Sequence, residues 1–160
     1  MAMRPKKYPL EPLAKLRAKQ VDDATLTLAK AVRAREEAER VERSNRKVRD
    51  DAEAKAKAAR EAERAALERG ELRAGDLMRG NAWGSRVTDE HAELEKRVVN
   101  AANRAQTARG AEDEARGGVT SAKAEEEVVD RDRGRWETGE RKRADAKEEE
   151  EASETWRKPT

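Results

Sequence analysis

Counted in sevens from Val87, every landing along the second half of the chain is apolar: Val87, Leu94, Ala101, Ala108, Ala115, Ala122, Val129 and Trp136. Four residues after each landing runs a mixed column of His91, Val98, Ala105, Glu112, Val119, Glu126 and Arg133. Residues three and four apart share one face of an α-helix, so the two columns form a heptad seam. A seam buries only a stripe and needs a second stripe to pack on. The first half of the chain supplies one: Val21, Ala24, Leu28, Ala31, Ala34, Ala38, Val41, Asn45, Val48, Ala52, Lys55, Ala59, Ala62 and Ala66. Its steps alternate between three and four until two consecutive threes, from Leu28 to Ala34, predict a stammer that locally overwinds the coil.

Breakers set the predicted elements. Pro12 suits the first position of a helix, where its missing N–H has no partner to lose, so helix 1 is expected over about 12–69. Residues 70–75 form the expected turn. Gly70 there can close helix 1 in the left-handed conformation, and Asp76 is the expected N-cap of helix 2, which runs over about 76–154. Gly80 and Gly84 soften its start, and Leu77 to Trp83 reads equally well as helix or loop. Gly110, Gly117 and Gly118 lie off the seam, facing outward. Four consecutive acids, Glu148 to Glu151, oppose the helix dipole near the expected C-terminus, which predicts either fraying or a basic partner.

Folding at 70–75 gives the fold class: an all-α, long antiparallel two-helix coiled-coil hairpin, in one domain. Paired residue numbers then sum to about 145 along the antiparallel seam. Val48 is expected opposite Val98, Ala52 opposite Leu94, Val41 opposite Ala105 and Leu28 near Val119. At the open end Tyr8 and Leu10 come level with Trp136, which would act as a plug. Helix 1 would be roughly 85 Å long.

Composition agrees with thin, striped packing. Of 160 residues, 45% are charged and 35% hydrophobic, and the aromatic residues are Tyr8, Trp83, Trp136 and Trp156. Such a chain cannot fill a thick globular core. Both charge signs are mixed along it, with a net charge of +2, which is not the signature of a strongly basic nucleic-acid binder. There is no cysteine, hence no disulfide framework or thiolate metal site. No apolar run approaches the ~20 residues of a membrane span. Met1 to Lys7 carries no apolar leader core, and the doubled Met1-Ala2-Met3 suggests a native start at Met3. A cytoplasmic protein is expected.

Chemistry is sparse. His91 and Glu95 have i,i+4 spacing, but a metal site needs three or four ligands and the chain has no second histidine; His91 reads as a polar seam residue. Acid–base catalysis needs a partly dry cleft, which a two-helix hairpin does not provide. Gly70, Gly75, Gly80 and Gly84 lack the Lys-Ser/Thr ending of a phosphate loop. No catalytic residue, cofactor or metal is expected.

Lys7-Tyr8-Pro9-Leu10-Glu11-Pro12-Leu13, followed by Leu16-Arg17 and by Val21-Asp22 with Ala24, resembles the opening of the type III secretion stalk proteins. These are the YscO/CdsO group of injectisomes and their flagellar counterpart FliJ. Gly75-Asp76-Leu77 with Trp83 and Leu94-Glu95-Lys96 with Val98 is similar to a second family stretch, and Trp136 ahead of a Glu-rich helix to a third. The glycines in helix 2 and the Ala-rich seam depart from the family pattern. The resemblance implies an antiparallel hairpin similar to the coiled coil of the rotary ATPase γ subunit, without enzyme activity of its own. It implies insertion into the pore of a hexameric export ATPase, contact with the cytoplasmic domain of the export gate, and binding of secretion chaperones. The working place would be the cytoplasmic face of the inner membrane.

On that resemblance, the basic open end is the expected ATPase contact: Arg4, Lys6, Lys7, Lys15 and Arg17 on one helix, and Arg133, Arg141, Lys142 and Arg143 on the other. On charge alone these form a solvated face balanced by glutamates. Leu77, Trp83 and Val87 near the turn are the expected gate contact, although Trp83 reads equally as a cap on the hairpin tip. The free protein is expected to be a monomer that neither binds nucleic acid nor inserts into a membrane. Two other classes fit the same residues: a coiled-coil scaffold or spacer without an ATPase, and a basic helical nucleic-acid binder.

Overall fold

In the computed structural model, which describes residues 6–157, two long helices pack together as a hairpin: α1 (Glu11–Glu68) and α2 (Ala74–Arg157). The Leu10 carbonyl accepts the Ala14 N–H at 2.9 Å, so α1 begins one residue before the expected Pro12. Glu11 in the first turn complements the helix dipole.

The turn, residues 69–73, is one residue shorter than expected: α1 ends at Glu68, one residue early, and α2 begins at Ala74, two residues early. Gly70 has φ of 68°, its N–H bonds to the Leu67 carbonyl at 3.0 Å, and the Glu71 N–H bonds to the Ala66 carbonyl at 3.1 Å. That pair of bonds around a left-handed glycine is a Schellman ending. On the other side α2 already starts at Ala74, and Asp76 is not its N-cap. The Asp76 carboxylate instead reaches back to accept the Arg73 N–H at 3.0 Å, the reverse arm of a capping box. Leu77 to Trp83 is helical. Beyond the expected end, α2 continues to Arg157, which places a cation in the last turn. Glu148 to Glu151 therefore lie inside the helix rather than at its dipole end.

The α2 seam follows both expected columns. Val98, Ala101, Ala105, Glu112 and Val129 are buried, and Val87, His91, Leu94, Ala108, Ala115, Val119, Ala122, Glu126, Arg133 and Trp136 are half-buried. The α1 seam departs from expectation after Ala31. Its buried and half-buried positions continue as Arg35, Ala38, Glu42, Asn45, Arg49, Ala52 and Ala56, an unbroken heptad with no stammer. Ala34, Val41, Val48, Lys55, Ala59 and Ala62 lie outside it, exposed. Val41 and Val48, 39% and 49% exposed, thus do not pair with the buried Ala105 and Val98.

The seam accepts charged residues there because each finds a partner. Arg35 pairs with Glu112 and Glu39, Arg109 bridges Glu39 and Glu42, and Arg49 reaches Glu95 at 3.4 Å. Glu112 and Glu42 are 4% and 9% exposed; an unpaired carboxylate that deep would be costly. Hydrogen bonds that Arg109 and Arg35 donate to it lower the Glu39 pKa, and those that Arg35 donates to Glu112 and Glu39 raise its own.

Contacts divide the described chain into two units, one drawn from the segments up to Ala29 and from Glu114 onward, the other spanning Lys30–Asp113. The first is built on Tyr8, Ala14 and Val129, with Leu13 and Trp136 against them. The second buries Ala56, Val98, Ala101 and Ala105, small side chains that let the backbones approach closely. No helix among the described residues is long and apolar enough to cross a membrane.

Candidate partner-binding surfaces

At the open end the polypeptide enters α1 through Pro9, and Tyr8 is folded back onto α2. Its carbonyl accepts the Glu11 N–H at 3.2 Å, and its phenol donates to the Asp132 carboxylate. The ring meets Trp136 edge-on, with centroids 5.6 Å apart and planes at 61°, a favourable aromatic geometry. Arg133 lies over the same ring at 5.4 Å and donates to Glu11 at 2.6 Å. Burial first, and the Asp132 hydrogen bond second, push the Tyr8 phenol up to about 12. Trp136 is thus the expected plug with Tyr8, whereas Leu10 stays 43% exposed outside it.

The expected ATPase-contact cations fall into two groups. Arg17 and Arg133 are spent within the hairpin: Arg17 binds Glu125 at 2.5 Å and Gln20 at 2.9 Å, and Arg133 belongs to the seam. The Nε of each is buried without a hydrogen bond. Lys6, Lys7 and Lys15 are exposed, as are Arg141, Lys142 and Arg143; Arg143 pairs with Glu140 one turn back. Arg4 lies outside the described residues. Past Glu140 the side chains of α2 are exposed through Arg157, and Trp156 is 92% exposed.

The expected gate residues are not gathered into one patch. Trp83 and Val87 line an open cavity of about 500 Å³ between the helices, together with Ala52, Ala56, His91 and Leu94. The cavity arises because alanines face it from α1. Its rim carries Lys55, Lys57 and Arg60 against Glu53 and Glu90. Leu77 is not part of the lining and stands 39% exposed on the first turns of α2. Nearby, the Arg73 N–H and then the Arg79 side chain hold the Asp76 carboxyl below its usual range. Among the described residues no cluster of three or more His, Asp or Glu side chains could hold a metal ion.

Sequence reasoning paired Arg35 with Glu39, as the structure does, but missed Asp132, which lies off both seam columns, and the seam positions of Arg35, Glu42 and Arg49. Strict counting in sevens from Leu28 would have found the latter. The chain matches no family model, no curated protein and no solved structure.

Proposed function

We propose that this chain is a central stalk component of a type III protein export apparatus. It inserts into the hexameric export ATPase, links it to the cytoplasmic domain of the export gate, and escorts secretion chaperones at the cytoplasmic face of the inner membrane. One observation carries the reading. Two separate stretches of the resemblance, the Tyr8 segment and Trp136, meet in a single closure of the hairpin. Such a closure suits a protein whose open end must hold two helices together while working inside another assembly.

A stalk in a ring meets non-equivalent subunits, so its contacts should be polar, long and adaptable. The exposed cations Lys6, Lys7, Lys15, Arg141 and Lys142 have that character. Arg17 and Arg133 serve the hairpin instead. The test is stimulation of the cognate ATPase. Changing Lys6, Lys7, Lys15, Arg141 and Lys142 to Glu should leave helicity intact and abolish stimulation, and wild-type stimulation should weaken as salt rises. Gate binding should survive that change and be lost on Trp83→Ala with Leu77→Ala. Undiminished stimulation by the charge-reversed protein overturns the open end as the contact. Absence of stimulation by the wild type overturns the stalk itself.

A further inference from the structure

Ion pairs join the two helices within the Lys30–Asp113 unit at definite levels. Arg35 meets Glu112, Arg109 reaches Glu39 at 3.0 Å and Glu42 at 3.8 Å, and Arg49 reaches Glu95 at 3.4 Å. The apolar part of the same seam is far less particular. Ala31 and Ala38 on α1 stand one heptad apart, as do Ala101 and Ala108 on α2. Sliding α2 by one heptad therefore lays alanine over alanine again. The tip accepts such a slide in one direction, because a change of one heptad in the pairing moves the turn half as far, from Gly70 toward Gly75.

We infer that these ion pairs are the register lock of the hairpin: they hold α1 and α2 at one setting among several that the alanine seam accepts. The inference is independent of the stalk reading. Slide α2 one heptad toward the tip, and Glu112 comes opposite Glu42 while Arg109 comes between Arg46 and Arg49. Arg116 replaces Arg109 beside Glu39 and Glu42 in that setting, but Arg35 loses Glu112 and Arg49 loses Glu95. Slide α2 the other way, and all of these pairs are lost, with Arg109 opposite Arg35 and Glu95 opposite Glu42. Glu42 and Glu112 are 9% and 4% exposed, a depth at which facing carboxylates cost far more than on a surface. Both slipped settings thus exchange attraction for repulsion, and charge decides what alanine burial leaves open. Polar groups inside a coiled coil fix its register in this way at some cost in stability.

The chain has no cysteine, so spin labels go only where cysteines are placed. Glu53 and Glu90 line the same cavity from α1 and α2, and Arg60 stands one heptad further along α1; all three are exposed. One labelled pair is Glu53→Cys with Glu90→Cys, the other Arg60→Cys with Glu90→Cys. Both are measured in the full chain carrying Tyr8→Ala with Trp136→Ala, so that the closure at the open end does not hold the helices in place of the ion pairs. With the ion pairs intact, the first pair should give a single short distance. A recoded variant combines Arg35→Glu, Glu42→Arg and Arg109→Glu. It makes the contacts at Glu112 and Glu39 repulsive. One heptad toward the tip, it brings Glu42→Arg opposite Glu112 and Arg109→Glu between Arg46 and Arg49. In this variant α2 should move by about 10.5 Å, lengthening the first distance and shortening the second. A neutral variant, with alanine at Arg35, Glu42, Arg109 and Glu112, should stay helical and spread over both settings; it decides alone if the recoded variant unfolds. Native distances in the recoded variant overturn the inference, as does a neutral variant that keeps the one native distance or loses its helicity. Loss of the native distance from Tyr8→Ala with Trp136→Ala alone would give the register to the closure and overturn it too.

Discussion

Tyr8 joins the incoming segment to α2 through its phenol, its ring and its neighbour Arg133, and it is the chain's one tyrosine. Its titration is therefore a clean report on the closure. The fold favours the neutral phenol, since burial and the hydrogen bond to Asp132 both disfavour phenolate. The folded value lies above the unfolded one, so the stabilisation is fully present below about pH 10 and is lost as pH rises through about 12. Absorbance at the phenolate band should accordingly rise near pH 12 in the native protein. In Asp132→Asn the rise should move toward pH 10, and an unmoved midpoint would deny the contact. The partnership of Tyr8 with Trp136 was legible in the sequence, because the hairpin register alone brings them level. Asp132 was not, because it sits off the seam and a carboxylate there is indistinguishable from the many solvated ones.

Element by element, the helices were readable from breakers and periodicity, and the errors in the α1 seam have one origin. Apolar residues at Ala34, Val41 and Val48 drew the expected α1 seam off its heptad, whereas the buried positions hold charged residues that neutralise one another. Periodicity governs which residues face the partner; hydrophobicity only usually agrees with it. Val98→Ala should thus cost about 2 kcal/mol from lost apolar burial, while Val48→Ala should change stability by less than about 0.5 kcal/mol. Denaturant midpoints for the two variants check this, and equal losses would restore the expected Val48–Val98 pairing. The glycines make a second contrast. Gly70 needs its left-handed backbone, so Gly70→Ala should destabilise by about 1 kcal/mol. Gly118 is helical, with open space where a Cβ would lie, so Gly118→Ala should stabilise by about 0.5–1 kcal/mol. Thermal unfolding of both variants separates the two effects by sign.

Across the whole molecule, protection should follow what each stretch of α2 packs against rather than its helicity. From Val98 to Glu112 the helix buries four side chains at 5% exposure or less, and ion pairs cover its flank. From Arg141 to Arg157 it has the same backbone bonds, but every side chain is exposed. A lone helix of that length is marginal in water, and the repulsion among Glu148, Glu149, Glu150 and Glu151 weakens it further. Amide exchange should therefore be at least about 100-fold slower at Val98 to Glu112 than at Arg141 to Arg157, since local opening there does not require breaking the seam. The exposed helical tail was legible to about Glu154, close to its end at Arg157, but what it packs against was not, because nothing in its pattern distinguishes a helix without a partner from one waiting for it. The stalk reading adds a second outcome to the same measurement. With the cognate ATPase bound, protection should rise across Arg141 to Arg157 and around Lys7 to Lys15 and remain unchanged at Val98 to Glu112. A bound complex in which Arg141 to Arg157 still exchanges at the free rate would remove that segment from the ATPase contact.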